Sequence, residues 1–168
     1  MRHLIAFALP IWFLVANAGP SLAEHAKISL DVTSSGEQVT AFVDQTPPES
    51  GKNPRPVIKV KAGQSIKIQW SLTNVYPHKT LENVVVHFYV AKQQKAGQKP
   101  TPDLGVEANV VFESAFEMDF KPGAKAGARN TLKIDLPGAY LIRVESRQTG
   151  SDHEHFAAID LVVEAEKR

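Results

Sequence analysis

The histidines are the chain's one unusual chemical resource, and their placement matters more than their number. Of the 6 histidines only His3 falls within the first 23 residues. His153-Glu154-His155 sets two imidazoles at i and i+2, directly after Asp152. On extended backbone such residues share a side, within reach of one ion. Neutral imidazole nitrogens with a carboxylate oxygen suit copper(II), zinc or nickel. The candidate metal site is therefore His78, His153 and His155, with Asp152 as an oxygen ligand. Against it stands a plainer reading, a solvated loop whose polarity keeps it out of the core. The plainer reading carries more weight, because H-x-H matches none of the specific metal motifs.

Other chemistry finds little support. With 0 cysteines there is no disulfide, no thiolate metal site, no thiol nucleophile and no blue-copper ligand set. No G-x-S-x-G elbow, H-E-x-x-H helix, phosphate-binding loop or dinucleotide fingerprint is present. Glu113, Glu117 and Asp119 alternate along one strand, spread over about 20 Å, and read as a solvated acidic face rather than an acid/base pair. The glycine-rich stretch 121–129 opens a strand and not a helix, so it lacks the anion-binding geometry of a helix N-terminus and reads as a hairpin loop. The basic stretch 92–100 reads as a solvated loop. His87 lies on the outer face of its strand, with Val85 and Tyr89 beside it as a modest apolar patch. No cofactor is expected, beyond the candidate copper or zinc ion, and the chain is not expected to be an enzyme.

The elements that must position these residues are strands. Period-2 alternation recurs throughout, and no helical apolar stripe competes with it. Residues 27–33 and 38–43 read as a hairpin about Ser34-Ser35-Gly36-Glu37. A connection with prolines at 47, 48, 54 and 56 follows and cannot hold a central strand. Further strands are expected at 57–61, 65–73, around 84–90, and at 109–120, 131–136, 139–147 and 156–164. A long polar loop, 92–107, separates two of them. The most telling stretch is I-D-L-P-G-A-Y-L-I-R-V, residues 134–144. A Pro-Gly corner there precedes Tyr140 and a new alternating strand, as a tyrosine corner requires. The fold class expected is all-β, an immunoglobulin-like β-sandwich with an extra N-terminal β-hairpin, and Trp70 and Phe88 in its core. In that fold the loops 74–82 and 148–155 emerge at one end, which would bring His78 towards His153 and His155.

The run V-I-K-V-K-A-G-Q-S-I-K-I-Q-W-S-L-T-N, followed by N-V-V-V-H-F-Y-V, resembles the cell-adhesion-related (CARDB-type) and fibronectin type III-like domains of exported bacterial proteins. The resemblance covers roughly residues 57–164. It implies a binding or spacer role and names no catalytic residue. The N-terminal hairpin and the long loop 92–107 depart from the usual module.

Residues 1–23 have the pattern of a secretory signal peptide: a basic start, a short apolar run, and small-residue sites ending at Ala18 and Ala23, of which Ala23 is favoured. The run is too short to span a bilayer, no later segment is apolar enough to be transmembrane, and no cysteine follows for lipid attachment. Residues 24–168 then form a single exported domain, periplasmic or extracellular, large enough to bury its own core. Arg2 is the one member of the 19 Lys+Arg that leaves with the leader, so the rest balances the 18 Asp+Glu. That balance offers nothing to nucleic acid or to an anionic membrane. The leading expectation is a non-enzymatic binding or interaction module of the bacterial envelope, meeting an envelope or extracellular protein through the pole of the two loops or through a sheet edge. The alternative is a periplasmic copper- or zinc-binding protein.

Overall fold

The computed structural model describes residues 26–42, 55–148 and 154–166. The expected leader, Asp152 and His153 lie outside them, as does most of the proline-rich connection. Nine strands run through the described residues: β1 (Ala26–Ser34), β2 (Glu37–Phe42), β3 (Val57–Lys61), β4 (Ser65–Asn74), β5 (Leu81–Gln93), β6 (Val110–Phe120), β7 (Lys125–Lys133), β8 (Gly138–Gln148) and β9 (Glu154–Glu164). They form two sheets, ordered β2-β1-β4-β7 and β3-β9-β8-β5-β6. Neighbours are antiparallel except β3 and β9, which run parallel.

The alternation seen in sequence is what makes the layers. Ile28, Leu30 and Val32 of β1 and Ile66, Ile68, Trp70 and Leu72 of β4 point inward from one sheet. Val84, Val86, Phe88 and Val90 of β5, Tyr140, Ile142 and Val144 of β8, and Ile159 and Leu161 of β9 meet them from the other. Each such side chain contributes about 1.5–3 kcal/mol by leaving water. The N-terminal hairpin is present and turns through Ser35 and Gly36, both at positive φ (50° and 87°). Two residues at positive φ make the tight hairpin turn whose twist matches the strands it joins. Tyr140 closes the expected corner: its hydroxyl donates to the Leu136 carbonyl at 2.7 Å while the ring is buried. Burial raises the Tyr140 phenol above its usual 10.0.

Two segments differ from expectation. The glycine-rich stretch is mostly strand, and the turn before β7 is confined to residues 121–124. Small side chains are what let β7 lie so close to β4. A Cβ on Gly127 would come within 2.3 Å of the Trp70 carbonyl oxygen. The loop after β5 is also not simply solvated. It folds back over the outer face of the five-stranded sheet, and its Leu104 packs against Tyr89, Ala91, Leu141 and Ala158. Tyr89, expected on an exposed patch, is thereby buried. No helix of the described residues is long and apolar enough to cross a membrane.

Candidate interaction surface

Three polar clusters and one apolar flank stand out, and the sequence positions of each follow from the sheet order. The first cluster holds the loop after β5 in place. Asp160, on the outer face of β9 and 1% exposed, accepts from Arg55 Nη2 at 3.1 Å and Nε at 3.2 Å. It also accepts from Gln93 Nε2 at 2.6 Å and from the Gly97 amide at 2.8 Å. Arg55 reaches the Gln98 carbonyl at 2.9 Å as well. A buried carboxylate answered by a two-pronged guanidinium and two further donors is a satisfied structural node. Beside it, the loop itself and the end of β5 enclose a groove of about 510 Å³, lined by residues that include Gln94, Gln98, Pro100 and Asp103.

The second cluster lies across the outer face of β6, β5 and β8. His87 Nε2 is 2.8 Å from Glu113, and its Nδ1 is 3.4 Å from Glu145. Glu145 in turn accepts from Arg143 Nε at 2.6 Å, and the Arg143 guanidinium sits 4.1 Å over the Phe156 ring. His87 is thus on the outer face, as its strand position implies. Both its nitrogens face carboxylates, which ties the three strands together across their registers. The third cluster is Asn74, fully buried at the end of β4. Its Nδ2 donates to the carbonyls of Lys79 at 2.7 Å and Phe120 at 2.8 Å, and its Oδ1 accepts from the Tyr76 amide at 2.9 Å. It fastens the loop that holds His78 to the end of β6.

Of the expected metal ligands, His78 is exposed on the loop after β4. His155 is 9% exposed and pairs in register with the buried Ser146, so it belongs to strand β9 rather than to a loop. Among the described residues no three His, Cys, Asp or Glu side chains are grouped to hold a metal.

The apolar flank has no local signature in the sequence. β6 ends one sheet and β7 ends the other, joined by a short turn, and no described strand lies beyond either. Phe116 and Met118 of β6 pair with the inward residues Val86 and Val84, so they too face between the sheets. Each nevertheless remains 38% exposed. Opposite them, β7 offers Ala126, Ala128, Asn130 and Leu132 on its inner side, and the two alanines are too short to cover the larger side chains. Trp70 stacks on Phe116 with centroids 6.1 Å apart. Trp70 Nε1 and Asn130 Oδ1 are buried without a hydrogen-bond partner among the described residues, and both sit on the β4–β7 side of this flank. The outer faces differ in sign. β6 carries Glu113, Glu117 and Asp119, and β7 carries Lys125, Arg129 and Lys133, all exposed.

Strand order and tyrosine corner together define the class: an immunoglobulin-like β-sandwich with an added N-terminal hairpin. No known protein family matches the sequence, and no curated protein does. Among solved structures the chain is similar to a family 123 glycoside hydrolase from Clostridium perfringens, with 10% identity and a TM-score of 0.40 over 83% of this chain and 27% of the hydrolase. It is similar to an AA10 lytic polysaccharide monooxygenase from Streptomyces lividans, with 20% identity and a TM-score of 0.40 over 67% of this chain and 64% of that one. A third similarity is to the C-terminal domain of wzt, with 12% identity and a TM-score of 0.38 over 86% of this chain and 75% of that domain. The chain thus spans about a quarter of the first of these and under two thirds of the second. None of the three carries an inference about this chain.

Proposed function

We propose that this protein is an exported, non-enzymatic binding module of the bacterial envelope that meets a partner protein through the open flank between β6 and β7. One observation carries the reading: Phe116 and Met118, each 38% exposed, stand between two strand edges with no described strand beside them. A free edge presents unpaired amides and carbonyls, and an incoming strand satisfies them while its alternate side chains fill the apolar space. The other polar clusters support a scaffold role, since their side chains are spent on one another. The export part of the reading rests on the leader-like residues 1–23 and on the resemblance to domains of exported bacterial proteins.

The test is binding of the hydrophobic-surface dye bis-ANS to the native protein, compared with Phe116→Gln and Met118→Gln. An apolar docking flank gives native-state fluorescence that drops at least about threefold in the variants while the unfolding temperature holds within a few degrees. Equal dye binding by wild type and variants would remove the flank as the docking surface. Cell fractionation tests the export part, with the chain expected among envelope or extracellular proteins.

A further inference from the structure

Resting on that reading of the flank, we propose that its occupant is a second copy of this chain, docked about a two-fold axis parallel to the strands. Charge sign and strand direction single out this occupant. The acidic outer face of β6 carries Glu113, Glu117 and Asp119, and the basic outer face of β7 carries Lys125, Arg129 and Lys133. Two copies can meet flank to flank in two symmetric ways. A two-fold axis perpendicular to the sheets sets β6 against β6 and β7 against β7, so acids oppose acids and bases oppose bases. Like charges directly opposite are destabilising. An axis parallel to the strands exchanges the layers, so β6 of each copy lies beside β7 of the other.

That second arrangement agrees with strand direction, sheet angle and charge sign. β6 and β7 are joined by a short turn and run in opposite senses, so the rotation leaves them antiparallel across the interface. The aligned sheets of a sandwich differ in strand direction by about 30°, and this axis carries each direction onto the other. In the register that sets Glu117 against Arg129, which also donates to Gln69, Glu113 falls against Lys133 while it keeps its contact with His87. The inward set then places Met118 against Ala128, whose short side chain leaves it room, and Phe116 against Asn130. Both contacts form at once, and the interface is closed rather than fibre-forming. Basic residues on a lone edge guard it against self-pairing. Here the same residues discriminate between two pairings and select one.

The experiment uses sedimentation velocity and engineered cysteines in the full chain without its leader, which has 0 native cysteines to interfere. The mass is expected to rise towards that of two chains with concentration, and to fall back as salt is added. Glu117→Arg alone and Arg129→Glu alone each weaken the dimer about tenfold, and the two together in one chain restore it. Glu117→Cys chains mixed with Arg129→Cys chains give a disulfide-linked pair, whereas neither gives a homodimer alone. All these positions are exposed, so folding is not at stake. A single-chain mass at every concentration, charge swaps that fail to rescue one another, or homodimers from one cysteine variant would each overturn the arrangement. If the chain stays single while dye binding still falls in the Phe116 and Met118 variants, the flank remains a docking surface and only the second copy is lost. If both results are negative, the flank reading falls as well.

Discussion

Replacing Asp160 by alanine probes the node that holds the long loop against the sheet. The substitution removes the acceptor for two Arg55 nitrogens, the Gln93 amide and the Gly97 amide, with donor distances between 2.6 and 3.2 Å. Breaking a buried ion pair by removing one partner costs about 3–5 kcal/mol, because the other charge is left uncompensated. Arg55 is 15% exposed against 1% for Asp160, so its guanidinium can turn partly to water. The expected loss is therefore at the low end, about 3 kcal/mol. At about 2–4 °C per kcal/mol for a domain of this size, the unfolding temperature falls by about 9 °C. Urea denaturation gives the free energy, and amide exchange at Gly97 reports the loop locally. A double-mutant cycle with Arg55→Ala isolates the pair, with a coupling of about 2 kcal/mol expected. A loss below about 1 kcal/mol, or Gly97 exchange unchanged in the variant, would refute the reasoning.

Further outcomes follow from the other clusters. Asn74→Ala leaves the buried Phe120 carbonyl and the part-buried Lys79 carbonyl and Tyr76 amide without their partner, for a loss of about 3 kcal/mol by urea midpoint; Asn74→Asp sets a carboxylate against those carbonyls and loses more. The Tyr140 phenol is raised by burial, so the folded state holds its proton longer than the unfolded one, whose value is 10.0. Its stabilising effect is complete below 10.0 and is lost as pH rises through the folded-state value, so wild type loses more stability than Tyr140→Phe as pH rises above 10.0. At neutral pH the same Tyr140→Phe change costs about 1 kcal/mol for the bond to Leu136. For the histidines, copper(II), zinc and EDTA are expected to leave the unfolding temperature unchanged; a metal-specific rise that vanishes in His153→Ala/His155→Ala would make the metal reading the correct one.

Alternation made the strands and the tyrosine corner legible, because period 2 and a Pro-Gly step before Tyr140 are local signals. The glycine-rich stretch misled for a local reason too. Its glycines and alanines look like a loop, but Gly127 is there because the Trp70 carbonyl leaves no room for a Cβ. The long loop hid its anchor in the same way. Asp160 lies far along the chain from Gly97 and Gln98, and only the parallel pairing of β3 with β9 brings Arg55 to both. The flank was the least visible part. In F-E-S-A-F-E-M-D-F, Phe116 and Met118 fall on the inward period like any core residue, and nothing local says that their strand ends a sheet. Edges are a property of strand order, and strand order is set by the whole chain.

A photocrosslinking scan of all four sheet edges in intact cells tests the central claim most directly. A benzophenone side chain is placed in turn at Met118 on β6, Leu132 on β7, Val39 on β2 and Lys59 on β3, and adducts are read by mass. A protein-docking flank between β6 and β7 gives discrete adducts from positions 118 and 132, to a second copy of the chain or to another protein, and none from 39 or 59. Adducts from positions 39 or 59 alone, or from none of the four, would contradict it.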